Sequence, residues 1–190
     1  MSQSPTISVY QFKTTLIHSK PAIWRRIQVA SDTTLGEFHQ ILQTAIGWSD
    51  SHLHQFIIQG VYYGEPDAEF EDEDEVKDEQ KVELNQVVSS VKEKFIYEYD
   101  FGDSWELVIM LEKILPFDPE AVYPICLDGE RACPPEDCGG IYGYYDFLEA
   151  IKDPKHPEHA EMLEWVGGNF DPEEFDLDAI NKEIKHNLRG

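Results

Sequence analysis

Basic side chains are scarce in this chain: Lys and Arg together number 15 against 38 Asp and Glu, giving a formal net charge of −23. A field of that sign disfavours diffuse contact with phosphate backbones or anionic membranes, and it attracts cations and basic proteins. Long hydrophobic runs are also missing. No stretch approaches the roughly 18 uninterrupted apolar residues of a membrane span. The opening MSQSPTISVY has neither a basic nor an apolar leader region, so no secretory signal is expected. Cysteine is limited to Cys126, Cys133 and Cys138. An odd, local set suits reduced cytoplasmic thiols better than a disulfide framework, and a cytoplasmic location is expected. H-x-x-x-H, G-x-S-x-G and G-x-x-x-x-G-K-[ST] are all absent, which removes the zincin, α/β-hydrolase and P-loop readings. The chain shows no internal repeat.

What is present fits one domain. A chain of 190 residues with 41% apolar and 12% aromatic residues can bury about 70% of its extended surface. Charge is uneven along it. Residues 1–64 carry a net +1, whereas 65–115 and 116–190 each carry −12.

Residues 7–29 read as two strands around a turn, with Ile23, Ile27 and Val29 on one side, interrupted by Arg25. A helix follows at 35–46. Thr34 and Glu37 form a capping box, Leu35, Phe38, Leu42, Ala45 and Ile46 form its stripe, and Gly47 ends it. Residues 53–63 read as a third strand with a tight turn at Gly60. Residues 65–79 hold ten acidic side chains, and a flexible, solvated acidic insertion near 65–80 is expected there. Phe95, Tyr97 and Tyr99 alternate into a hairpin turning at Gly102-Asp103, with Trp105, Leu107, Ile109 and Leu111 on the return. Helices are predicted at 144–152, from His156-Pro157 to about 166, and at 177–186. The expected fold is α+β over 1–190: a mostly antiparallel sheet, one N-terminal covering helix and a C-terminal helical portion closing the core.

Four stretches, PAIWRR (21–26), LGEFHQILQTAIGWSDSHLHQF (35–56), YEYDFGDSWELVIMLE (97–112) and the segment from ERACPPEDCGG to DLDAIN (130–181), resemble the plasmid pRiA4b ORF-3-like family. Members of that family also turn up as mobile-element passenger proteins. The resemblance spans nearly the whole chain and implies a compact α+β domain, without an established activity to carry over. The family commonly has a histidine after the Trp-Glu of the aromatic hairpin, whereas this chain has Leu107. A mechanism needing a histidine at that point does not apply here.

Two constellations carry chemistry. Cys126, Cys133 and Cys138, followed by His156 or His159, offer three thiolates and an imidazole, a sensible donor set for tetrahedral Zn2+. The spacing departs from the usual C-x2–4-C pairs, and the competing reading is cysteines packed in a proline-stiffened loop. In the second, His52 and His54 share one face if they lie on a strand, and Asp50, Asp100 and Asp103 are candidate oxygen ligands. His52, His54 and Asp103 then centre a metal-dependent hydrolase. The leading functional expectation is an accessory or protein-interaction domain with a structural zinc site. The hydrolase, and a binder of a basic protein through the acidic loop, stand as alternatives. Arg25 and Arg26 are read as partners of intramolecular carboxylates, and the aromatic hairpin as a core face.

Overall fold

In the computed structural model, residues 7–66 and 76–187 are described. Eight strands form one sheet: β1 (Ser8–Leu16), β2 (Trp24–Ala30), β3 (His54–Ile58), β4 (Val61–Gly64), β5 (Lys77–Asp78), β6 (Lys94–Tyr99), β7 (Trp105–Pro116) and β8 (Ile125–Glu130). Their order is β5-β4-β3-β6-β7-β1-β2-β8. Every neighbouring pair is antiparallel except β4 and β5. The helices are α1 (Leu35–Ile46), α2 (Leu84–Val87), α3 (Gly140–Lys152), α4 (His159–Trp165) and α5 (Leu177–Asn187). This is the α+β architecture that the sequence pattern and the resemblance imply.

The two faces of the sheet are chemically different. On one, Phe12 faces Ile27 in the β1–β2 register, and Phe12, Phe56 and Phe95 are all buried. Phe38 of α1 sits among them, with ring centroids 5.1, 6.1 and 6.5 Å away. The helix starts and stops as its sequence dictates. Thr34 and Glu37 close a capping box, and Gly47 ends it at φ 108°, a backbone region that few residues other than glycine enter easily. On the other face runs a polar ladder. Gln28 donates to Gln11, Gln11 donates to Glu112, and Arg26 grips Glu112 with two nitrogens at 2.7 and 3.1 Å. Arg26 therefore pairs with carboxylates as expected. Arg25 does not: its buried guanidinium donates to the carbonyls of Ala45, Trp24, Glu130 and Arg131.

Three expectations are corrected. The 65–80 segment is not all loop. Residues 67–75 lie outside the described residues, but Lys77–Asp78 pairs with β4, and Glu79, on the 3-10 turn Glu79–Lys81, is 1% exposed. A solvated position is excluded for Glu79 because its carboxylate meets His54 inside the fold. Cys126 sits on an edge strand: β8 pairs with β2, with Cys126 opposite Ile27. Finally, α5 closes the core through buried Ile184, whereas α4 buries no residue and leaves Trp165 46% exposed. α4 reaches the core's margin through partly buried Met162 and packs against α3, Trp165 meeting Phe147 edge-on.

Candidate metal centre at the hairpin turn

The turn between β6 and β7 carries one side of the site. Asp100 has a left-handed backbone (φ 57°), which Asp tolerates better than most residues. Its Oδ1 accepts the amides of Gly102 and Asp103, fixing the carboxylate as part of the turn. Its Oδ2 remains, 3.7 Å from His52 Nε2. Asp137, from the segment before α3, brings Oδ1 to 3.1 Å from the same nitrogen. Asp137 also has a positive φ, 61°.

That segment is held where it is by three ties. Trp48 Nε1 donates to Pro134 O, Glu136 accepts from Tyr99 and from the amide and hydroxyl of Ser49, and Asp103 Oδ2 accepts the amide of Gly139. Gly140 passes the turn so closely that a Cβ there would lie 2.4 Å from Asp103 O. His52 is steered by an edge-on contact with Tyr99, 5.7 Å between centroids.

The donor atoms of His52, Asp100 and Asp137 lie within 4.8 Å of one another and could hold a metal ion. Bonds near 2.1 Å around a tetrahedral ion put ligand atoms about 3.4 Å apart, and the two carboxylates lie 3.1 and 3.7 Å from the His52 nitrogen. With one imidazole and two carboxylates, the set suits Zn2+, Mn2+ or Fe2+ rather than a thiophilic ion. The side chains of His52 and Asp137 are 29% and 70% exposed, so the cluster opens to solvent.

A second cluster, His39, Asp50 and His54, also brings its donor atoms within 4.8 Å of one another, but it is organised by hydrogen bonds. His39 joins Asp50 at 2.8 Å and the Tyr97 hydroxyl at 2.7 Å, while His54 joins buried Glu79 at 2.9 Å. The two imidazoles stack at 3.4 Å and 3°. An ion shared between them would sit about 1.7 Å out of each ring plane, on the order of 50° from the in-plane lone pairs. Of the two clusters, the one at the turn is therefore better shaped for an ion. Burial, then the neighbouring His54, depress the pKa of His39, which favours a neutral ring.

The residues singled out in the sequence separate. His54 begins β3 and His52 precedes it, so they do not share a strand face. Each joins a different cluster. Asp103 is in neither group of three; it anchors the segment that carries Asp137. The zinc set of Cys126, Cys133, Cys138 and His156 or His159 is not gathered: no group of three donors among the described residues includes a cysteine. Each thiol instead faces a nearby carbonyl, of Asp128, Pro134 and Gly140 respectively. His159 is engaged with Ala150 O, and His156 accepts the Glu158 amide. Burial raises all three thiol pKa values, with Cys138 pushed up to about 12.

Comparison with known proteins agrees with this architecture. The model of the plasmid pRiA4b ORF-3-like proteins matches residues 8–179. The chain belongs to that family. It is 40% identical over 180 residues to the uncharacterized protein y4hQ of Sinorhizobium fredii, covering 93% of this chain and 91% of the relative. The crystal structure of MM3350 from Methanosarcina mazei Go1, described as a protein of unknown function, superposes with a TM-score of 0.81 at 37% identity. That match covers 90% of this chain and 97% of the other.

Within this member of the family, position 107 is a fully buried leucine on β7. The imidazole at the turn is that of His52, four residues before the β3 position Phe56 that faces Tyr97. Asp137 and His39 escaped the sequence reading. His39 had a signal: it lies on the buried stripe of α1 beside Phe38 and Leu42, where a histidine needs a partner. Asp137 had none, because only the folded segment brings it to His52.

Proposed function

We propose that this protein is a metal-binding accessory domain whose divalent ion sits on His52, Asp100 and Asp137. The observation that carries the reading is that His52 Nε2 lies 3.1 and 3.7 Å from two carboxylates, all three donors being within 4.8 Å of one another at a position open to solvent. Three protein ligands leave an open position for water or a ligand oxygen, the arrangement of ligand-binding and hydrolytic metal sites rather than of closed structural ones. The surrounding charge supports it: Glu136 adjoins Asp137, Asp103 binds the Gly139 amide two residues further on, and the chain as a whole is strongly anionic. The three free thiols support a reducing, cytoplasmic setting. No helix among the described residues is long and apolar enough to cross a membrane.

Calorimetric titration of chelator-treated full-length protein with Zn2+ and with Mn2+ tests the proposal. One ion per chain is expected, with affinity falling at least tenfold in Asp137→Ala. The Cys133→Ser, Cys138→Ser double variant should bind as the parent does. Loss of binding in the cysteine variant with retention in Asp137→Ala would refute the assignment.

A second reading, binding of a basic protein, is favoured by one groove. Asp146, Glu158 and Glu161 surround Met162 and the exposed Trp165 in a cavity of about 410 Å³, and carboxylates around an open indole complement Lys or Arg side chains. A Glu158→Lys, Glu161→Lys variant that bound a fluorescent oligolysine peptide as well as the parent would dismiss it.

A further inference from the structure

A cleft of about 640 Å³ lies between α3, the turn joining β1 to β2 and the segment around Pro172, and none of His52, Asp100 and Asp137 is in its wall. Volumes of this size are typical of small-molecule sites. Its walls are tied to one another. The Tyr145 hydroxyl accepts the Lys20 amide at 2.6 Å and donates to His18 O at 3.0 Å, which joins α3 to the turn. Pro172 O accepts the Ala132 amide at 3.1 Å, and Phe170 packs edge-on against Phe147 of α3. From α3 itself come Tyr145, Leu148, Ile151 and Lys152, whose spacing puts them on one face of the helix. Leu148, Ile151 and Phe170 are partly buried and give the cleft an apolar body.

Charge narrows the ligand. Lys20, Arg131 and Lys152 line the cleft, three of the chain's 15 basic side chains, against the two carboxylates of Glu149 and Glu173. The clefts at Trp165, at Leu53 and between α1 and α5 have no Lys or Arg among the described residues of their walls. A cationic balance is therefore local to this one, in a chain of net charge −23. Arg131 is the informative group. Its side chain is only 10% exposed; Nη1 donates to Glu173, whose side chain is 67% exposed, and Nε is buried without a hydrogen-bond partner. A cation so far buried and short of acceptors is costly to keep, and an exposed carboxylate on a flexible side chain holds it weakly. A carboxylate brought in by apolar contact would displace Glu173 and satisfy the guanidinium better. We infer that this cleft binds a small carboxylic acid with an apolar body, its carboxylate on Arg131 in place of Glu173, flanked by Lys20 and Lys152, and its body against Leu148, Ile151 and Phe170.

Calorimetric titration of the full-length protein with 4-phenylbutyrate, 4-phenylbutylamine and butyrate tests the assignment. Phenylbutyrate should bind at least tenfold more tightly than either of the others, because the amine carries the wrong charge and butyrate lacks the body. Glu173→Gln removes the competing carboxylate and should strengthen phenylbutyrate binding several-fold. Lys20→Glu with Lys152→Glu, both at exposed positions, should weaken it at least tenfold, and Arg131→Gln should abolish it. Thermal unfolding of each variant shows that it is folded; should Arg131→Gln not fold, the lysine pair and Glu173→Gln decide the matter. Equal binding of acid and amine would overturn the inference, as would an affinity that is unchanged or lower in Glu173→Gln or unaltered in the lysine pair. Absence of phenylbutyrate binding up to roughly 10 mM would overturn it as well.

Discussion

Replacing Arg25 by methionine should remove about 4 kcal/mol of stability. The residue is 2% exposed, and its guanidinium reaches carbonyls at the end of α1 (Ala45), on β2 (Trp24) and at the end of β8 and beyond (Glu130 and Arg131). Methionine fills much of the volume but donates nothing. An acceptor left buried and unpaired costs about 1–3 kcal/mol. The low end applies, because removing the guanidinium also relieves the burial that depresses its pKa. Four acceptors at about 1 kcal/mol each give the estimate. Urea unfolding followed through the buried Trp48 and Trp105 should show the midpoint falling by about 2 M, for a slope near 2 kcal/mol/M. Arg25→Lys keeps the charge without the planar fork, so it should recover less than half of the loss. A midpoint shift under about 0.5 M for methionine would mean that the carbonyls find other donors and that Arg25 does not tie α1 to β8.

Three further outcomes follow from particular contacts. Gly140→Ala forces a Cβ toward Asp103 O at a residue with φ +67°; it should cost about 2–3 kcal/mol in thermal unfolding, and metal affinity should fall with it as Asp137 is displaced. The Arg26 hydrogen bonds hold the Glu112 carboxyl below its usual pKa. Its contribution is therefore full above the unfolded carboxylate pKa, near 4.3, and is lost as pH falls through the lower folded value. Parent and Glu112→Gln should differ by about 1 kcal/mol at neutral pH and converge in acid; a gap that widens in acid would contradict the pairing. With every thiol pKa raised by burial, Ellman's reagent at pH 7.5 should react at least roughly a hundredfold more slowly with native than with urea-unfolded protein. Rapid labelling of any one native cysteine would show that its thiolate is accessible after all.

Local rules were enough for most of the scaffold. Thr34, Glu37 and Gly47 state where α1 begins and ends, and the alternation of Phe95, Tyr97 and Tyr99 states which side of β6 is buried. Each of these signals acts over a few residues and needs no distant partner. β5 and β8 were not legible. Both are edge strands whose pairing is supplied by β4 and β2 rather than by their own pattern, and acidic or cysteine-bearing segments give little strand signal.

The site divides along the same line. Asp100 and His52 drew attention in the sequence because aspartates and histidines stood near turns, whereas His39 went unnoticed within the helix that the capping box begins. What the sequence could not supply was which donors meet. Closeness along the chain and donor type suggested the three cysteines, yet each thiol lies against a nearby backbone carbonyl, while residues 52, 100 and 137 converge from three separate segments. Convergence is decided by the ties among Trp48, Glu136, Tyr99 and Asp103. The sequence determined the elements and the stock of donor atoms. Only the tertiary structure, through hydrogen bonds between residues far apart in the chain, decided which of them face one another.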